Sequence, residues 1–265
     1  MRQQLITNNQ IAKKSLGQNF ITNNKFLLEM NKFIESSNNN ILIEIGPGKG
    51  ALTGYLTKKK YKKLYLIEKD YLLASRLKET YKNSNNIIVI QGDALSYNYN
   101  KFLNESDRVV IYGNLPFNIS TRLLSLWLGS IKWPSFYDKM VLMFQKEVAE
   151  RILAKNNNKK YGRLSVLVQA RCNVKKLLDA PASIFSPKPK VDGIVIQFEP
   201  IKDFKEVNYK KLEKLLEKSF SSRRKKIKNT LKEYRSFLLK LKIDDNLRPE
   251  NLSVSDYCNL VRLIN

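Results

Sequence analysis

The stretch "NILIEIGPGKG", Asn40 to Gly50, decides the fold. It opens as a near-continuous Ile- and Leu-rich run, the pattern of a strand covered on both faces. A turn with Gly46, Gly48 and Gly50 follows, where the backbone can bend tightly and approach a ligand closely. The spacing G-x-G-x-G is neither the dinucleotide pattern G-x-G-x-x-G nor the triphosphate loop G-x-x-x-x-G-K-[ST]. Next comes a helix-like stretch, "ALTGYLTKKK".

The same unit repeats outward from there. "KLYLIEKD" (63–70), "NIIVIQGDA" (86–94), "RVVIYGNLP" (108–116) and "KMVLMFQKE" (139–147) read as further strands. "YLLASRLKETYK" and "ISTRLLSLWLGS" read as helices between them. This alternation predicts an α/β fold: a Rossmann-like, mostly parallel sheet. "RLSVLVQARCNV" (163–174) and "GIVIQFEP" (193–200) predict two more strands, forming an antiparallel hairpin on the sheet edge. After Pro200 the spacing becomes helical, in "YKKLEKLLEKSF" and "RRKKIKNTLKEYRSFLLKL", and Ser253 is placed to cap a last helix. Two domains are expected: 1–200, and a small all-α unit over 201–265.

Composition limits the function. The 265 residues carry 48 basic and 24 acidic side chains, a net charge of +24. Such an excess points to a polyanion, nucleic acid or an anionic membrane surface. A compositional bias toward Lys, Asn and Ile competes with that reading, and the runs Asn38–Asn40 and Asn156–Asn158 support some bias. Residues 201–265 hold 17 basic and nine acidic residues, so the charge is spread over both units. No apolar run reaches the length of a membrane span, and the first residues lack the apolar core of a secretory signal. A cytoplasmic protein is expected. Cys172 and Cys258 are too far apart in sequence to suggest a disulfide framework or metal cluster. With no histidine, Ser-His-Asp and Cys-His chemistry is excluded, and no metal site is expected.

In sheets of this kind ligands sit at the carboxyl ends of the strands. Four consecutive strand ends carry suitable groups. Gly46 and Gly48 follow the first strand. Glu68 closes the second, placed to accept from two ribose hydroxyls. Asp93 closes the third, placed to accept from an adenine amine, and Asn114 closes the fourth. Two acids argue against a triphosphate. S-adenosylmethionine, a nucleoside bearing a sulfonium cation, fits this set.

The segment "GNLPFNIST" (113–121) then suggests the chemistry. The N6 lone pair of adenine is delocalised into the ring and is a poor nucleophile. Acceptors against the amino hydrogens favour pyramidalisation and free the lone pair. The Asn114 side-chain oxygen and the Leu115 carbonyl are candidate acceptors, with Pro116 holding the turn and restricting the residue before it. Phe117 offers a face on which an extruded base can stack, worth roughly 1–3 kcal/mol. Positive charge developing on N6 would meet those dipoles and that ring. The proton can leave to water, so no histidine is needed.

"NLPF" resembles the [N/D/S]-[P/L]-P-[Y/F] motif of amino-group methyltransferases. "KKSLGQNFITN", "EIGPGKGALT", "GNLPFNIST", "FSPKPKVDG" (185–193), "FSSRRKKIKNTL" and "LRPENLSVSDYCNLVRL" together resemble the small-subunit (16S) rRNA adenine N6,N6-dimethyltransferases, in order and over nearly the whole chain. That resemblance implies dimethylation of two adjacent adenines in the 3′-terminal hairpin of 16S rRNA, within an immature small subunit. It implies that Asn19 and Ile21 line the cofactor site and that Gly46 approaches the methionine part. It also implies that Asn114 joins the cofactor and target sites, and that Phe117 and Phe185 flank the target adenine. Phe117 and Ile21 stand where many members have Tyr and Leu; stacking survives the first change, and the second is conservative. A monomer without membrane or metal is expected.

Arg223, Arg224, Lys225, Lys226 and Lys228 fall within six positions and are candidate phosphate contacts. "KNNNKKYGR" (155–163) predicts a mobile basic loop near the target side. A large-subunit dimethyltransferase conferring macrolide resistance is disfavoured by "LGQNF" and "RPENLSVSDY". A mitochondrial transcription factor of the same fold is disfavoured by the lack of a transit-like segment. A DNA adenine methyltransferase would more often carry Asp and Pro at positions 114 and 115. A non-catalytic assembly factor would not need the full strand-end set.

Overall fold

The structure, a computed structural model, describes residues 12–13, 16–99, 103–104, 106–129, 136–201 and 207–264, with Phe117 and Asn118 described by their backbone alone. The strands are β1 (Phe20–Ile21), β2 (Asn40–Ile45), β3 (Lys63–Glu68), β4 (Ile87–Gln91), β5 (Arg108–Gly113), β6 (Lys139–Gln145), β7 (Cys172–Ala180), β8 (Phe185–Ser186) and β9 (Gly193–Pro200). The helices are α1 (Asn24–Asn31), α2 (Thr53–Leu56), α3 (Tyr71–Thr80), α4 (Phe117–Leu128), α5 (Lys146–Leu153), α6 (Arg163–Gln169), α7 (Tyr209–Ser219), α8 (Ile227–Thr230), α9 (Arg235–Lys240) and α10 (Val254–Leu263).

The main sheet has seven strands in the order β4-β3-β2-β5-β6-β9-β7. β2 pairs in parallel with β3 and β5, and all six of its residues are buried, which is why its sequence is nearly continuous apolar. The chain runs outward from β2 through β3 and β4, then returns to the other side of β2 as β5 and β6. The order therefore reverses between β2 and β5, where sheets of this kind open a ligand crevice. β9 is antiparallel to both β6 and β7.

Side chains of β2 alternate between two cores. Ile41, Ile43 and Ile45 join one, which takes in α4, α6 and the C-terminal helices; Leu42 joins the other, with α1, α2 and β8. Leu212, Leu216 and Leu260 of the C-terminal helices belong to the same apolar cluster as the sheet, so the residues beyond 207 pack directly on the first unit.

Two sequence expectations need correction. The run 163–174 is not one strand: 163–169 form α6, and only Cys172 onward is extended. Ser165 to Val168 are buried on every side of that helix, so its apolar residues show no single face, and seven residues are too few for the period to tell helix from strand. The remainder, β7, does pair antiparallel with β9 at the edge. The helical spacing over 223–241 is also broken, into α8, a 3-10 turn at Lys232–Tyr234, and α9. The Ile227 and Lys228 N–H groups donate to the carbonyls of Leu247 and Asp245 rather than back along a helix. Ser253 caps α10 as expected, accepting from the Asp256 N–H at 3.1 Å.

Candidate active site

A cavity opens at the switch point, above the carboxyl ends of β2 to β5. One side of it is the glycine turn after β2, where φ is +65° at Gly46, +59° at Gly48 and +82° at Gly50. These left-handed values favour glycine. A Cβ on Gly48 would lie 3.0 Å from the Phe20 ring, so the N-terminal segment can close on this turn only because no side chain is there.

Glu68 ends β3 and braces the turn. Its Oε2 accepts from the Gly48 N–H at 2.9 Å and its Oε1 from the Asp70 N–H at 2.8 Å. Burial raises its pKa, against the pull of those backbone donors. Each carboxylate oxygen has two lone pairs, so bracing the turn leaves acceptor capacity for a ligand's hydroxyls. Asp93, beyond β4, accepts from Lys69 Nζ and from the Leu95 N–H at 2.8 and 3.0 Å. The Lys69 bond, then the Leu95 N–H, hold its carboxyl below the usual range, so it is ionised at neutral pH. Ile45, Ile67, Ala94 and Ile119 supply apolar wall.

The N-terminal segment crosses the cavity as a strap. At one end β1 pairs antiparallel with β8, placing Ile21 opposite Phe185, and the Thr22 N–H donates to the Ile184 carbonyl at 2.9 Å. At the other, Lys13 Nζ and Gln18 Nε2 lie 2.9 and 3.2 Å from Asp70 Oδ2, while Asp70 Oδ1 caps α3. Asn19, Ile21 and Phe185 thereby line the cavity together with Gly46, Gly48, Glu68 and Asp93. Phe185 is buried in the core of that face.

Asn114 follows β5. Its Nδ2 donates one of its two hydrogens to the Asn19 carbonyl at 3.0 Å, which orients the amide against the strap, with Oδ1 as its acceptor. A Cβ on Gly113 would lie 2.9 Å from Leu115 Cδ2 and 3.2 Å from the Ile45 carbonyl oxygen, so the fold-back of Leu115 over the strand end requires glycine. The Pro116 carbonyl accepts from the Ile119 and Ser120 N–H groups and starts α4. Asn114, Leu115 and Pro116 all line the cavity. Phe117 opens α4, but its side chain lies outside the described part of the structure.

The five basic residues from Arg223 to Lys228 do not line the cavity; they lie on the surface of the C-terminal lobe. The loop 155–163 is not the free loop its composition suggests. The Asn157 N–H donates to the Glu250 carbonyl at 2.8 Å, and Asn156 Nδ2 to the Asn251 carbonyl at 3.2 Å. Its asparagines thus fasten it to the C-terminal lobe.

Sequence reasoning passed over Glu44. It is 3% exposed, lines the cavity, and accepts from Thr53 Oγ1 at 2.6 Å. Burial, opposed by the Thr53 bond and helped by the nearby Glu68, pushes its pKa up to about 8. An acid inside an otherwise apolar strand was the available signal. Because the folded protein holds this proton more tightly than the unfolded chain, Glu44 lowers stability as pH rises from its ordinary carboxylate range to about 8. Glu44→Gln should flatten that slope and raise the ligand-free melting temperature at pH 8. Thermal melts of both proteins from pH 5 to 9 test this; parallel curves would show that Glu44 is ionised throughout.

Set against known proteins, residues 9–265 match the model of the family described as ribosomal RNA adenine dimethylase. The chain belongs to this family. It is 43% identical to the ribosomal RNA small subunit methyltransferase A of Pelagibacter ubique, over 95% of this chain and 96% of that one. Among solved structures, a dimethyladenosine transferase from Plasmodium falciparum superposes with a TM-score of 0.79 at 27% identity, covering 92% of this chain and 97% of that one. The 23S rRNA methyltransferase ErmE superposes at 0.70 and 20% identity, covering 92% and 98%, and shares the fold.

As a member of the rRNA adenine dimethylases, the chain is a methyltransferase whose donor is S-adenosylmethionine. The cavity suits that molecule. Glu68 and Asp93 line it, beside a Glu44 that keeps its proton to about pH 8, with no phosphate loop; apolar walls flank them, and the glycine turn admits a ligand closely. Among the described residues no cluster of metal-ligating side chains occurs, and no helix is long and apolar enough to cross a membrane.

Proposed function

We propose that the chain transfers methyl groups from S-adenosylmethionine to N6 of two adjacent adenines in the 3′-terminal hairpin of 16S rRNA, giving dimethyladenosines during small-subunit biogenesis. The observation that carries this is the polarity of Asn114. Its nitrogen is held by the Asn19 carbonyl, so an acceptor oxygen remains where the cofactor cavity meets the start of α4. An exocyclic amine is the nucleobase group that needs an acceptor there.

Glu68 and Asp93 hold the ribose hydroxyls and adenine amine of the donor, the turn at Gly46 and Gly48 receives its amino-acid part, and Asn19 and Ile21 cover it from the strap. When bound, the donor supplies an electrophilic methyl group. The Asn114 oxygen and the Leu115 carbonyl accept hydrogen bonds from the target amine, the proton leaves to water after methyl transfer, and Pro116 fixes both acceptors through the turn. Phe117 and Phe185 flank the target ring. Arg224, Lys225, Lys226 and Lys228 meet phosphates, with residues 201–265 serving as the RNA-facing unit and 1–200 as the catalytic one. The substrate is an immature small subunit, and the enzyme acts as a cytoplasmic monomer. The full-length likeness to a small subunit methyltransferase supports this target over the large subunit.

Methyl transfer from labelled donor to unmethylated small subunits, large subunits and duplex DNA, run in parallel with digestion of the product, tests the reading. Dimethyladenosine should appear in the small subunit alone. Label in the large subunit, or none in any substrate, would refute the assignment.

A further inference from the structure

Arg223 behaves unlike its basic neighbours. Its guanidinium is already engaged: Nε lies 2.6 Å from Glu250 Oε2, and Nη2 donates to the Asn158 carbonyl at 3.4 Å. Glu250 in turn uses its carbonyl for the Asn157 N–H at 2.8 Å, and Asn251 Nδ2 donates to Asn157 Oδ1 at 2.9 Å. Asn157 sits at φ +67°, a left-handed conformation that asparagine tolerates better than most residues. Asn251 is itself held, since its Oδ1 accepts from the Arg248 N–H at 2.8 Å. These bonds tie the loop 155–163, some 65 positions earlier in the chain, to the segment after Ser222 and to the turn Pro249–Asn251.

The consequence is a shared surface. Lys159 follows Asn158 on one side of the junction; Arg224 and Lys225 follow Arg223 on the other. All three are exposed, and none is in an ion pair among the described residues. A single lobe would present either group on its own, free to shift relative to the other. Tied together, they present cations at fixed separations, which suits the fixed phosphate spacing of a folded RNA.

We infer that Arg223 is a strut, not a phosphate contact: with Glu250 it locks loop 155–163 to the C-terminal lobe, so that Lys159, Arg224 and Lys225 form one rigid face for RNA phosphates. This rests on the reading of the substrate as ribosomal RNA. Arg223 is a positioning residue, acting on RNA through the side chains it holds in place.

Glu250→Gln separates the alternatives by sign. If Arg223 were a phosphate contact restrained by Glu250, removing the acid would free it and tighten RNA binding. As a strut it loses its anchor, and binding to unmethylated small subunits weakens despite the loss of a negative charge. The expected change is roughly a fivefold or greater rise in KM for subunits, with the effect in KM rather than kcat. Arg223→Ala should give a similar rise, and the double variant should be little worse than either single, as for two residues serving one contact. Arg223→Lys should not rescue, because a lysine keeps the charge but loses the fork that spans Glu250 and Asn158. The slope of log affinity against log salt should stay as in the unaltered protein for Arg223→Ala and fall by about 0.7–0.9 for Arg224→Ala. Cofactor affinity, measured on each variant, confirms folding. Tighter binding by Glu250→Gln, a reduced slope for Arg223→Ala, or rescue by Arg223→Lys would each overturn the strut. If the unaltered protein itself shows no salt-dependent affinity for subunits, the RNA reading falls and the strut with it.

Discussion

Asn114→Ala lowers kcat for methyl transfer to small subunits by about 10²–10³-fold, the scale seen when one preorganised polar group at a reacting centre is removed. The alanine removes an acceptor for the target amine. It also deprives the Asn19 carbonyl of its 3.0 Å donor, loosening the strap. Two variants separate these effects. Asn114→Asp keeps an acceptor but sets a carboxylate against the Asn19 carbonyl, so the strap is repelled and donor affinity falls. In Asn114→Ala the loss in kcat exceeds the loss in donor affinity. Single-turnover transfer at saturating donor, alongside equilibrium binding of the donor, reads both. An Asn114→Ala enzyme with near-normal kcat would place the acceptor elsewhere.

The second large effect is at Glu68. Its carboxylate accepts from the Gly48 and Asp70 N–H groups, in a residue only 5% exposed. Glu68→Ala leaves two buried donors unsatisfied, each costing about 1–3 kcal/mol. The turn that they hold is the one receiving the donor. Two losses therefore coincide: a melting temperature lower by several degrees, and donor affinity weaker by about a hundredfold or more. Glu68→Gln keeps two acceptor lone pairs on one oxygen only, so it falls between. Isothermal titration with S-adenosylhomocysteine and thermal melts check both, and a Glu68→Ala protein that binds normally would show that the turn is braced by other means.

Much of the site was legible because its residues stand at the ends of strands. Gly46, Glu68, Asp93 and Asn114 each follow an apolar run within a few positions, and the sheet then brings the four ends together. Asn19, Ile21 and Phe185 were legible only through the resemblance; nothing in their own surroundings says that a two-residue pairing, β1 with β8, will fold them over the cavity. Glu44 was readable in principle but passed over, since an acid in a strand is equally consistent with an edge position.

The departures from sequence expectation have physical causes as well. α6 reads as strand because burial on all sides erases helical periodicity. The loop 155–163 reads as free because asparagine and lysine favour solvent, yet asparagine also bonds readily within the protein: across the junction with the C-terminal lobe the Asn156 side chain donates to the Asn251 carbonyl, and the Asn157 side chain accepts from that of Asn251.

By itself the sequence determined the alternation of strand and helix, the glycine turn, the polar groups at the strand ends, the cap at Ser253 and the basic charge. These depend on period, local backbone freedom and composition, which are properties of neighbouring residues. The tertiary structure alone decided that the Asn114 amide is oriented by its bond to the Asn19 carbonyl, that Glu44 is held protonated toward pH 8, and that Arg223 turns inward to Glu250. Each of these depends on which distant group arrives beside a side chain, and on how much water is left there when it does.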